Sequence, residues 1–176
     1  RFAIQKVHDK YPHVLFIAED TILANTDLIA SGFNYLYDKV GLYDTLRAII
    51  CDGRSASSIT GCWQSIDDIR DHMLNFLENH DEQRIASAYF AGNAHKALPA
   101  LVVSSMMGTN PFMVYAGQEI GETGMDAEGL AEATDGPPYS TTGPYPHYAS
   151  LHHPTPLTNL WHKIGRAVQQ ECRDRS

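Results

Sequence analysis

Four short apolar runs recur along the chain, each closed by polar side chains and separated from the next by segments of helical period. They are Val14 to Ala18, Phe33 to Tyr37, Met73 to Leu77 and Phe112 to Tyr115. Runs this short, partly β-branched or aromatic and bounded by turn residues, read as strands more readily than as buried helices. Strands that alternate with helical segments imply a parallel sheet, because parallel neighbours need a long crossover connection. Val14 to Ala18 lacks polar alternation, which predicts a strand buried on both faces. Helical periodicity fits Phe2 to Tyr11, where Pro12 forbids continuation. It also fits Tyr43 to Ile50, where Leu42, Leu46 and Ile49 share one side. Ser55 to Gln64 is helix or turn, and Arg84 to Phe90 resumes a helical pattern. His95 to Met107, with Leu98, Leu101, Val102 and Met106, is apolar on most sides and reads as a buried wall helix.

Composition removes several function classes. The 176 residues are 43% hydrophobic and 19% charged, enough for one domain with a core. The net charge of -8 is spread without long runs, so there is no basic track for nucleic acid. No stretch approaches the ~18 consecutive apolar residues that cross a bilayer, so no membrane partner is expected. Cys51, Cys62 and Cys172 are odd in number and match no C-x-x-C spacing, so they read as free thiols. The chain enters helical periodicity at Arg1 without an initiator methionine, which reads as a cut and leaves the compartment unknown. Past Gly129 the character changes, since six of the nine prolines fall between Pro137 and Pro156. Residues 130–162 therefore read as an irregular segment, out of frame or, alternatively, a divergent and loosely ordered tail. Residues 163–176, KIGRAVQQECRDRS, read as an adapter-derived tail outside functional reasoning.

Polar groups gather at the carboxyl ends of the strands: Glu19 and Asp20, Asp38, His80 and Asp81, then Gln118 and Glu119. In parallel α/β folds that edge binds ligands. Glu19 follows a run of apolar residues, a placement that would desolvate its carboxyl and suit it to general-acid work. Taken alone it is equally a cap or an ion-pair member. Asn79-His80-Asp81 puts an imidazole beside a carboxylate at a strand's end, yet alone it could be a capped turn or half of a metal site. Cleaving a glycosidic bond between neutral sugars requires paired carboxylates in a cleft, and the chain offers candidates for that pair. Asp20 reads as a polar residue of the cleft edge and Asp38 as structural. Trp63, Tyr35, Tyr37 and Tyr115 read as core packing, with stacking on sugar rings as the alternative.

The joint pattern is more specific than its parts. Phe16-Ile17-Ala18-Glu19-Asp20 resembles the strand-5 motif of glycoside hydrolase family 13, the α-amylase superfamily. Phe76-Leu77-Glu78-Asn79-His80-Asp81 resembles that family's strand-7 motif, and Tyr115 to Glu122 (YAGQEIGE) is similar to its strand-8 motif. Phe33 to Arg47 is similar to the strand-6 region of bacterial members. The resemblance covers residues 1–129 and implies the C-terminal half of the catalytic barrel: strands 5 to 8 of a (β/α)8 TIM barrel with their helices, then an irregular tail.

Carried over, the resemblance makes Glu19 the general acid/base and Asp81 a carboxylate that grips sugar hydroxyls and helps distort the ring. It makes His80 a substrate-binding hydrogen-bond partner. Asn79, Gln118 and Glu119 would support the cleft from behind. The reaction implied is cleavage of α-glucans by double displacement with retention. The family's nucleophile is an Asp at the end of strand 4, which would lie upstream of Arg1, so the chain alone should be inactive. No cofactor is implied. Some members bind calcium through an inserted domain that is not in this chain, so calcium stays open for the complete protein, and no metal ligands are visible here. The partner implied is an α-glucan oligosaccharide or polysaccharide. Alternatives from the same superfamily are a transglycosylase, a branching enzyme, an isomerase or a non-catalytic carbohydrate-binding subunit. Metal-dependent hydrolysis through His80, Asp81 and Glu19 is a further rival.

Overall fold

The structure, a computed structural model, describes residues 1–19 and 26–123. Asp20, Cys172, residues 130–162 and the tail 163–176 therefore lie outside the described residues, and the readings given for them go no further. The chain divides into two compact units, Arg1–Leu77 with Ala100–Met113, and Glu78–Pro99 with the chain from Val114 onward.

The first unit holds a four-stranded parallel sheet in the order β1-β2-β3-β4, the arrangement that the strand-helix alternation predicts. Its strands are β1 (Ile17–Ala18), β2 (Tyr35–Tyr37), β3 (Met73–Phe76) and β4 (Phe112–Met113). Register pairs Ile17 with Tyr35, Leu36 with Met73, and Asn75 with Phe112. Helix α1 (Phe2–Lys10) precedes the sheet and α2 (Thr26–Ser31) links β1 to β2. A π-helical turn (Lys39–Tyr43), α3 (Asp44–Asp52), α4 (Ser58–Ser65) and a 3₁₀ turn (Asp67–His72) lead from β2 to β3. A 3₁₀ turn (Ala94–Ala97) and α5 (Leu98–Met106) lead to β4.

β3 is one of the two inner strands of the sheet, and all four of its residues, Met73, Leu74, Asn75 and Phe76, are buried. A mostly apolar run suits a strand that is covered on both faces. Its one polar member is half satisfied: Asn75 Nδ2 donates to the Ser104 carbonyl at 2.8 Å, while the buried Oδ1 has no hydrogen-bond partner among the described residues. Phe76 stacks on Tyr43, with centroids 5.2 Å apart and planes 18° off parallel, and also meets Tyr37 at 5.1 Å. Ala18, Leu36, Ile66, Ile69 and Met73 form a core cluster against which Leu28, Ile29 and Phe33 pack.

Three expectations need correction. The run from Val14 to Ala18 is not a strand buried on both faces: only Ile17 and Ala18 pair, and Leu15 and Ile17 are exposed. Leu15 and Ile17 point to one face of the strand and Ala18 to the other, and only the Ala18 face is covered. Arg84 to Phe90 is not helical but a series of tight turns, with Ser87 N–H on the Arg84 carbonyl and Phe90 N–H on the Ser87 carbonyl. A Glu78 side-chain oxygen accepts the Ile85 N–H at 2.8 Å. The apolar helix is shorter than His95 to Met107 and not wholly buried. α5 covers Leu98–Met106, burying Ala100, Leu101, Ser104 and Ser105 while Val102 and Met106 face solvent.

Candidate active site

Glu19 follows directly on Ala18, the last residue of β1, and is solvent-exposed. The burial expected from the preceding apolar run is absent, for the same reason that β1 itself is half covered. Asp38 follows β2 and is 1% exposed. Its Oδ1 accepts the Leu42 N–H at 2.7 Å and so caps the π-helical turn. Burial pushes its carboxyl up to about 6, against the backbone N–H groups of Leu42 and Gly41, and the Asp44 charge adds to the rise.

The second unit opens with Glu78-Asn79-His80-Asp81. Asn79 is buried, and its Oδ1 accepts the N–H groups of both Asp81, at 2.9 Å, and Glu82, at 2.8 Å. This is an Asx turn, in which the side chain takes the place of a backbone acceptor. It leaves His80 and Asp81 at the tip, their side chains 47% and 27% exposed, with His80 Nε2 3.5 Å from an Asp81 oxygen. An imidazole beside a carboxylate presents donors and acceptors to an approaching polyol, and neither side chain is buried away from it.

At the base of the turn, Glu78 and Arg84 are both fully buried and paired, with Arg84 Nη1 3.0 Å from Glu78 Oε2. Arg84 also donates to the Ala116 carbonyl at 2.9 Å and lies over the Tyr115 ring, 4.2 Å from its centroid. Gln118 is buried, and its Oε1 accepts the Tyr115 N–H at 3.3 Å. Glu119 Oε2 accepts the Gly117 N–H at 3.0 Å. Both side chains thus brace their own turn. Arg84 is the residue that sequence reasoning missed. The available signal was a basic residue six positions after Glu78, across the Asn-His-Asp tip, inside an otherwise buried stretch.

Three of the four aromatic residues weighed as sugar platforms are already occupied on a face or edge. Arg70 covers Trp63 at 3.8 Å, Arg84 covers Tyr115, and Tyr37 packs on Phe76. Neither Cys51 nor Cys62 forms a disulfide. No helix among the described residues is long and apolar enough to cross a membrane.

The family model described as alpha amylase, catalytic domain, matches residues 47–170. That span contains Glu78 to Arg84 and Gln118 to Glu119, and it begins beyond Glu19. Comparison with curated proteins and with solved structures gives no match.

Proposed function

Since the chain belongs to the α-amylase catalytic-domain family of glycoside hydrolases, we propose that it is the part of a retaining α-glucan-cleaving enzyme that carries strands 5 to 8 of a (β/α)8 barrel. In this reading Glu19 protonates the glycosidic oxygen and later activates water, His80 donates to a sugar hydroxyl, and Asp81 accepts from sugar hydroxyls. No organic cofactor is needed for that chemistry. The observation that supports the reading best is the His80-Asp81 pair, presented to solvent on a turn that Asn79 holds, four and five residues beyond β3. Exposure of Glu19 fits a group that must reach a substrate. The nucleophilic Asp would come from strand 4, whose motif is not among the residues of this chain, so the 176 residues alone should not turn over substrate.

The test uses the full-length protein and a maltooligosaccharide. Glu19→Gln should lower kcat by roughly 10²- to 10⁴-fold, the ordinary range for a lost general acid. The same variant should lose far less on an α-glucosyl fluoride, whose leaving group needs little protonation. Equal losses on both substrates would remove Glu19 from the acid role, and parental turnover on the oligosaccharide would end the whole reading. Product analysis in the same assay separates hydrolysis from glucosyl transfer.

A further inference from the structure

We propose that Glu78 and Arg84 are positioning residues, and that their buried ion pair holds the backbone of Asp81 in working position. The inference rests on the functional reading above, and it concerns the second unit alone. Withdrawing two opposite charges from water is costly, and an apolar pair of similar volume would often serve stability as well or better. Here the pair does something that apolar residues could not. Glu78 and Arg84 bracket residues 79–83, and the Glu78 carboxylate divides its oxygens between two partners on the far side of that turn. Oε2 takes Arg84 Nη1 at 3.0 Å, and Oε1 takes the Ile85 N–H at 2.8 Å. The base of the turn is thereby closed. Inside it, Asn79 Oδ1 takes the N–H groups of Asp81 and Glu82. Asp81 is thus held through its backbone, while its side chain meets the half-exposed His80 at 3.5 Å and remains part-exposed itself.

Arg84 extends the frame to the segment after β4. One guanidinium donates to the Ala116 carbonyl at 2.9 Å and covers the Tyr115 ring at 4.2 Å. That segment is itself braced by Gln118 and Glu119. The Arg84 hydrogen bonds to Glu78 and Ala116 both leave Nη1, and the flat guanidinium at the same time lies over the Tyr115 ring, a stacking that a lysine ammonium does not reproduce. The pair thus couples two motifs, Glu78 to Asp81 and Tyr115 to Glu119, through one cation.

Two variants of the full-length protein test this. Glu78→Gln keeps the size of the side chain and an acceptor for the Ile85 N–H but removes the charge. Arg84→Lys keeps the charge but loses the planar group that lies over the Tyr115 ring. Both should lower kcat on a maltooligosaccharide, by about tenfold to a hundredfold if Asp81 is displaced by an ångström or so, with KM changed less. In both, the amides of Asp81 and Glu82 should exchange with solvent faster while those of β3 keep their rates. Unchanged exchange at Asp81 and Glu82 overturns the inference, as does faster exchange with parental kcat. Loss of protection throughout the protein in both variants would assign the pair to folding alone and also overturn it. Asp81→Asn is measured beside them: if it retains parental turnover, the functional reading fails, and the exchange rates still decide whether the pair orders the turn.

Discussion

Asp38 Oδ1 accepts the Leu42 N–H at 2.7 Å from a side chain that is 1% exposed. The bond caps a helical turn, yet the carboxyl is raised from its ordinary value of 3.8 to about 6 because burial outweighs the backbone donors. A folded-state value above the unfolded one means that the neutral acid is the form the fold prefers. Its contribution to stability is complete below the unfolded value and is lost as pH rises through about 6. The gap corresponds to roughly 3 kcal/mol as an order of magnitude. Asp38→Asn keeps an oxygen for the Leu42 N–H and carries no charge, so it should be more stable than the parent above pH ~7 and similar to it below pH ~4. Denaturant unfolding of the two proteins across that range reads the effect, and parallel stability curves would refute it.

Gly117 adopts φ +94, and a Cβ there would lie 3.0 Å from Glu122 Cβ. Gly92 also has a positive φ, +66, but faces open space. The two positions share conformational strain and differ in crowding, which makes them a matched pair. Gly92→Ala should cost about 1 kcal/mol, the usual penalty for a left-handed alanine. Gly117→Ala should cost more, roughly 1–3 kcal/mol, because the chain around Glu122 must also move. Equal midpoints in urea for the two variants would show that the Glu122 contact yields freely.

How far sequence reads into structure depends on whether the deciding partner is local. β3 was legible because its own residues carry the signal: an apolar run broken only by Asn75 and ending in a polar cluster. Val14 to Ala18 carries nearly the same pattern, but whether its second face is covered depends on elements distant in sequence, and the face of Leu15 and Ile17 is exposed. The helical reading of Arg84 to Phe90 failed because the Ser87 and Phe90 N–H groups close successive tight turns onto Arg84 and Ser87 in place of a regular ladder. Periodicity does not distinguish such turns from a helix over so short a stretch. The same applies to the candidate site. His80 and Asp81 stand side by side in a recognisable motif, whereas Arg84 acquires its meaning from Glu78, Tyr115 and Ala116, which are brought to it only by folding.

β1 supplies the last prediction. Phe16 directs both of its peptide groups toward β2, donating to Asn34 Oδ1 at 2.8 Å and accepting the Asn34 N–H at 2.8 Å. Strand geometry then turns the peptide groups of Leu15 and Ile17 to the opposite edge, where no strand pairs among the described residues. Their side chains are 61% and 49% exposed, so an open strand edge coincides with apolar surface. Such an edge is a template for pairing with another chain. The 176-residue chain should therefore self-associate with rising concentration. Ile17→Lys should reduce that association, since a charge on an open edge opposes pairing while the inward residue, Ala18, stays in the core cluster. Light scattering over a concentration series provides the measurement. A parent chain that stays monomeric throughout, or an Ile17→Lys variant that associates as strongly as the parent, would show that this edge is not what chains recognise in one another.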